Sequence, residues 1–462
     1  MDTAYSVIGL GKLGASMAAA IAKRGFNVIG VDVSERAVKR LNDGHAPVQE
    51  TDLEDIIAAN RMRLRATMSH REAIFESDTT FVIVPTPSDE QGAFSLQYAS
   101  WAFREIGKAL QEKNRYHNVV LTSTVLPGST RFGLLPILER ESRKRAGADF
   151  GLCYSPEFIA LGSVIRDFLN PDFCLIGEYD ERCGGALQKS YAQIMENHAP
   201  CKRMSIENAE LTKISVNTYV TTKITFANML SELCEKIPGG DIDVVTDALG
   251  SDSRIGIKYL KGGLGYGGPC FPRDNVALGY MARTLHCGAD IAEATDGFNR
   301  RLPKRFIDRL LAILTPGMTA AVLGLAYKPY SHVIEESQGV ALALALAKHG
   351  VRVLAYDPLA QETAETELGG KVMVMNSMKS CLSQADLVLI ATPDPEFRGL
   401  AADDFITKGG PVTVVDFWRI LDPSTMQHGL VRYVPVGRSS EEDENKQRLS
   451  RLWESAETIG PA

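Results

Sequence analysis

The sequence predicts an α/β protein built from two doubly wound domains joined by a long central helix. Three observations predict it. Short apolar runs alternate with helical patterns near the N-terminus, and the alternation resumes after about residue 315. A glycine cluster separates the first strand-like run from the first helical one. Between the two alternating regions, Ile206 to Asn228 reads as one long helix.

Bulk properties narrow the function. At 462 residues the chain has room for two or three domains with real cores. Its 45% hydrophobic and 23% charged content is that of an ordinary globular protein. A net charge of −7 argues against a nucleic-acid surface, so an anionic substrate needs a local basic pocket. Eight cysteines, none in a Cys-x-x-Cys pair, argue against zinc and thioredoxin-like sites, and no metal is expected. The longest apolar run, Val340 to Ala347, is too short to span a bilayer. An acidic start without an apolar run argues against a signal peptide. The expectation is a reduced cytoplasmic protein with no membrane partner.

The first domain opens with Ala4 to Ile8, an apolar strand running into Gly9-x-Gly11-x-x-Gly14 and then the helical Ala15 to Lys23. Phe26 to Asp32 follows as a second strand ending in an acid. Strand, glycines, helix, strand and terminal acid make the Rossmann-like dinucleotide fingerprint, although the glycines alone would also suit an ordinary βα turn. The glycines let backbone and helix N-terminus meet a pyrophosphate. Asp32 would accept the ribose hydroxyls and repel a 2′-phosphate, which favours NAD over NADP. Further strand-like runs lie at 62–67, 80–85, 118–124 and 150–154. Two of them end in loops, Val84 to Pro87 and Ser123 to Gly128. On residues alone these are Pro-containing turns, but they sit where doubly wound sheets bind ligands.

On the central helix, Lys213 and Asn217 are one turn apart and share a face. A cation beside an amide suits a developing oxyanion, and a solvated helix face is the plain alternative. Ala209, Val216, Val220, Ile224 and Phe226 surround the pair with apolar residues. Downstream, Gly262-Gly-Leu-Gly-Tyr-Gly-Gly-Pro-Cys-Phe-Pro-Arg-Asp274 holds five glycines, then Cys270, then Asp274 four residues on. It reads as a shaped loop presenting a thiol beside a carboxylate, or as a glycine-rich turn around a buried structural cysteine. The second α/β region runs from the strand at Thr319 through Tyr327 and Lys328, the apolar helix Ser337 to His349, and strands at 351–357, 386–392 and 411–416. It echoes the first domain without its glycine motif. From about Gly437 the chain is charged and expected to be loosely ordered.

Gly-x-Gly-Tyr-Gly-Gly-Pro-Cys-Phe-Pro-Arg-Asp274 resembles the catalytic cysteine loop of nucleotide-sugar 6-dehydrogenases, the UDP-glucose/GDP-mannose dehydrogenase family. The resemblance extends over nearly the whole chain, to Arg419. It implies an NAD-binding domain over 1–200 and a central helical dimerisation region with the cysteine loop over 201–300. It also implies a nucleotide-sugar domain over 314–437 and a charged tail over 438–462. The implied reaction is a four-electron oxidation of a sugar C6 hydroxyl to a carboxylate, UDP-glucose to UDP-glucuronate, through a cysteine thiohemiacetal and thioester. GDP-mannose, a UDP-N-acetylhexosamine, or a non-catalytic sugar-nucleotide binder are the alternatives. A homodimer through the central helix is implied as well.

The resemblance also assigns residues. Cys270 would be the nucleophile, Lys213 and Asn217 the oxyanion donors, and Asp274 and Glu157 the groups that handle water, with Thr124 beside them. NAD would meet Gly9, Gly11, Lys12, Leu13, Gly14, Asp32, Pro85, Thr86 and Thr124. Substrate would meet Glu157, Phe158, Lys213, Asn217, Arg254, Tyr259, Gly267, Tyr327, Lys328 and Arg419. On residues alone, Arg254 and Lys328 are plain surface charges. Four positions depart from the family pattern: Leu161 stands where an acid is usual, Met229 where Glu is, Glu335 where Arg is, and Trp418 where the substrate arginine is, leaving Arg419 shifted by one.

Overall fold

A computed structural model describes residues 4–439 and 442–454. The chain divides into two compact units at Val216 and Asn217, inside one continuous helix, Ile206–Cys234. Each unit carries one sheet.

The first sheet comprises β1 (Ala4–Ile8), β2 (Asn27–Val31), β3 (Leu64–Thr67), β4 (Thr79–Val82), β5 (Asn118–Leu121), β6 (Gly151–Tyr154), β7 (Cys174–Glu178) and β8 (Cys201–Ser205). Its order is β3-β2-β1-β4-β5-β6-β7-β8, parallel except where β7 meets β6. Side chains alternate between faces, so Tyr5 and Val7 enter one buried cluster while Ile8 enters the other. Both faces are covered, which is why these strands read as apolar runs and not as alternating ones. The second sheet comprises β9 (Thr319–Leu323), β10 (Arg352–Tyr356), β11 (Met373–Val374), β12 (Leu387–Ile390), β13 (Val412–Asp416) and β14 (Val431–Pro435). Its order, β11-β10-β9-β12-β13-β14, repeats the first six strands of the first sheet. Ala320 and Val322 face one cluster, Ala321 and Leu323 the other.

The expected fold class therefore holds, with strands added. β7, β8, β11 and β14 had no distinct sequence signal. β8 reads Cys-Lys-Arg-Met-Ser and is half-exposed at a sheet edge, so burial left no apolar pattern on it. The tail differs from expectation too: Glu442–Glu454 forms a helix, while 440–441 and 455–462 lie outside the described residues. Among the described residues, no helix is long and apolar enough to cross a membrane.

Candidate active site

The turn after β1 is shaped by close backbone contact. Gly9 has φ +96°, and a Cβ there would sit 2.0 Å from the Ile83 carbonyl oxygen. A Cβ on Gly14 would sit 1.8 Å from the Gly9 oxygen, so both positions exclude any side chain. Gly11 differs: it is exposed and a Cβ there would meet nothing within 4 Å. Its lack of a side chain leaves open space in front of helix Lys12–Lys23, whose first turn has no side-chain cap. Asp32 accepts from the Leu10 amide at 2.7 Å and the Ser34 amide at 2.8 Å and stays half-buried, with acceptor capacity left. These features fit an adenosine ribose and pyrophosphate; Lys12 and Leu13 are half-buried beside them. The loops after β4 and β5 are tied together: Ser123 Oγ donates to the Val84 carbonyl and accepts from its amide, and Thr86 Oγ1 donates to the Thr124 carbonyl. Pro85 lies exposed between them.

The same unit gathers Glu157, Phe158 and Lys213. Lys213 Nζ donates to the Glu157 carbonyl oxygen at 2.5 Å and lies 4.6 Å from the centre of the Phe158 ring. The lysine is 8% exposed, so the solvated-face alternative is excluded for it. Removal from water pushes the Glu157 carboxyl up to about 7, against the opposing pull of the Lys213 ammonium. That value suits an acid–base group working near neutrality.

In the second unit, Cys270 is exposed and stands at the N-cap of helix Phe271–Thr284. The buried structural cysteine is thereby excluded, and first-turn amides favour a negative sulfur there. Asp274, 1% exposed in that first turn, accepts from Asn217 Nδ2 at 2.6 Å. Thiol and carboxylate thus follow from one loop and one helix turn, and the central helix supplies the amide. Gly268 takes φ +83° with its amide donating to the Glu335 carbonyl, and a Cβ on Gly267 would sit 2.3 Å from the Glu336 oxygen. The glycines let this loop lie against the residues after β9, Tyr327 among them.

Three asparagines that sequence reasoning gave no role hold the loop. Asn228 accepts from the Gly263 amide and donates to the Leu264 carbonyl. Asn299 accepts from the Tyr266 amide and donates to its carbonyl. Asn275 donates to Thr221 and to the Phe271 carbonyl. The available signal was an amide side chain on a buried helix face, which local sequence does not mark.

Other expected substrate residues are not gathered. Arg254 is exposed and pairs with Asp252; Tyr259 is half exposed at φ +64°. Lys328 is half-buried with Nζ 5.8 Å from the Tyr327 ring centre. Arg419, also expected to meet the substrate, lies inside the second unit. Its side chain is 0% exposed and its guanidinium donates to both Asp243 oxygens and to the carbonyls of Phe417, Val436 and Gly262. All five of its N–H donors meet acceptors within the protein. Trp418, at the departing position, donates from Nε1 to the Ala391 carbonyl and abuts Gly263.

Residues 3–195 match the model of the UDP-glucose/GDP-mannose dehydrogenase family NAD-binding domain, 207–301 its central domain and 321–423 its UDP-binding domain. UDP-glucose 6-dehydrogenase AglM of Haloferax volcanii is 35% identical over 92% of this chain and 98% of its own length. A GDP-mannose 6-dehydrogenase of Pseudomonas putida is 33% identical over 86% of this chain and 92% of its own. Among solved structures, a UDP-glucose dehydrogenase from Pyrobaculum islandicum superposes with a TM-score of 0.85 at 33% identity, covering 95% of this chain and 98% of that one.

Proposed function

The chain belongs to the UDP-glucose/GDP-mannose dehydrogenase family and uses NAD, and from that premise we propose that it oxidises the C6 hydroxyl of UDP-glucose to a carboxylate through a covalent cysteine intermediate. The observation that carries the covalent route is the exposed Cys270 thiol at a helix N-cap above the buried Asp274–Asn217 bond. NAD⁺ supplies the hydride acceptor for each of two oxidations. Residues of the chain do the rest. Glu157, poised near 7, exchanges the hydroxyl proton and later helps deprotonate water. Cys270 captures the aldehyde as a thiohemiacetal, so the reactive carbonyl stays bound until the second oxidation leaves a thioester. Lys213 and Asn217, one turn apart on the central helix, stabilise the oxyanions before and during hydrolysis, and Asp274 orients Asn217. The cofactor is oriented by Gly9, Gly11, Gly14 and Asp32, with Thr86 and Thr124 beside it.

UDP-glucose is favoured over GDP-mannose because a UDP-binding domain model matches and two of the relatives named above act on UDP-glucose by name. A homodimer is supported by Tyr219, Phe226 and Leu233, which recur every seven residues on the central helix and are 66%, 46% and 50% exposed. A monomer by sedimentation equilibrium at micromolar protein would remove that part.

The test is NADH appearance with a panel of UDP- and GDP-sugars. Two NADH per UDP-glucose are expected, and one per sugar would exclude the four-electron route. Cys270→Ser in single turnover is expected to slow the second oxidation at least about a thousandfold. Both oxidations at the wild-type rate would refute the covalent step.

A further inference from the structure

The loop that carries Cys270 is anchored at its first residue by a group the reaction does not touch. Arg419 lies just past β13, where its backbone adopts φ +53°, a left-handed conformation uncommon for a non-glycine residue. That turn sends the side chain inward, where it is fully buried. Its Nη2 donates to the Gly262 carbonyl at 2.7 Å, and the forked pair to Asp243, 2.7 and 2.9 Å, sets the guanidinium plane. Asp243 sits in the first turn of helix Ile242–Gly250; burial pushes its carboxyl up, but the Arg419 contacts, with Lys261 and Arg438 adding to them, hold it below its ordinary value. The remaining bonds, to the Phe417 and Val436 carbonyls, fix the guanidinium against the ends of β13 and β14. Gly263 follows directly, held by Asn228 and pressed against Trp418.

We propose that Arg419, with Asp243 as its counter-ion, is a positioning residue for the Cys270 loop and does not bind the substrate. It rests on the proposed function only in treating that loop as catalytic. A buried arginine with its hydrogen bonds satisfied cannot turn toward a diphosphate without giving up both Asp243 oxygens and three carbonyls. The consequence is a specific split. An arginine that bound the diphosphate would govern KM, and freeing it from Asp243 would tighten substrate binding. An arginine that aims the loop governs kcat, and losing Asp243 reproduces losing the arginine.

The test compares wild type with Arg419→Lys, Asp243→Asn and the double variant, by steady-state kinetics and by Cys270 alkylation with iodoacetamide in the absence of substrate. The expected result is a kcat at least tenfold lower in each single variant, a nucleotide-sugar KM within twofold of wild type, and no further loss in the double variant. Alkylation of Cys270 should change by at least threefold in both. A raised KM at unchanged kcat in Arg419→Lys, or wild-type kcat and alkylation in Asp243→Asn, overturns the proposal. Should Arg419→Lys fail to fold, Asp243→Asn decides alone. If wild type oxidises no sugar nucleotide, the proposed function has failed, and the alkylation rates still judge the anchoring.

Discussion

The two sheets solve one problem twice and differ in a way that explains which of them holds a dinucleotide. In each, a glycine ends the first strand at positive φ: Gly9 after β1 and Gly324 after β9. In each, a helix glycine presses on it, since a Cβ on Gly14 would lie 1.8 Å from the Gly9 oxygen and one on Gly339 2.1 Å from the Gly324 oxygen. In each, an acid closes the second strand, Asp32 after β2 and Asp357 after β10. The difference lies in what joins these parts. Five positions separate Gly9 from Gly14, and fifteen separate Gly324 from Gly339. The longer connection folds back toward Asp357, which accepts from the amides of Leu325, Ala326, Leu359 and Ala360 and is buried. Asp32 accepts from two amides and is half-buried. The shared frame makes a doubly wound sheet. A tight turn and an acid with unused lone pairs are what we propose suit the first sheet to its cofactor.

The sharpest way to break this comparison is to fill the two matched contacts. Gly14→Ala and Gly339→Ala each force backbone apart and are expected to cost about 3 kcal/mol or more in stability by denaturant titration. Only Gly14→Ala should weaken NAD binding, by about a hundredfold, roughly 2.7 kcal/mol. Equal losses of NAD affinity in both would mean the halves are not functionally distinct. Next come the acids. Asp357→Asn turns an amide donor toward backbone donors and is expected to cost about 2–3 kcal/mol while NAD affinity stays unchanged. Asp32→Asn should leave stability within about 1 kcal/mol and reduce NAD affinity about tenfold by calorimetry. The reverse pattern would overturn the assignment of roles.

A further, pH-dependent effect concerns Glu157, which lies in the cofactor-side half. Its folded pKa, about 7, stands above its unfolded value near 4.5, so the folded state holds the extra proton between them. Stability from this group is full below about 4.5 and is lost as pH rises through 7. Glu157→Gln should therefore gain on wild type between pH 5 and pH 8, by roughly 2 kcal/mol given the residue's partial exposure. A constant difference across that range would show that the carboxyl is not held out of water.

What could be read from the chain beforehand follows the same division. Gly9, Gly11, Gly14 and Asp32 stood out because a short turn keeps all its parts within one local window. The matching Gly324, Gly339 and Asp357 gave no motif, because the longer connection separates them in sequence while the fold reunites them. Cys270 and Asp274 were visible together for the same reason of locality: they are one helical turn apart. The setting of Arg419 could not be read, because nothing local says whether a guanidinium will face solvent or Asp243, 176 positions away in sequence. Asn228 and Asn299 were missed for a related reason, since their partners are backbone groups of a distant loop.

The one reversal in the first sheet has a consequence for reach. β7 pairs antiparallel with β6, Tyr154 opposite Gly177 and Cys153 opposite Glu178, and β8 runs alongside β7. Ser205, the last residue of β8, lies beside Glu178, which faces Cys153, one residue short of the end of β6. Ile206 packs against Gly177, opposite Tyr154, so the central helix sets out from the rim on which Glu157 sits, and two turns along it Lys213 donates to the Glu157 carbonyl. The reversal thereby lets a short stretch of helix carry an ammonium to a loop that follows a strand two places away in the sheet.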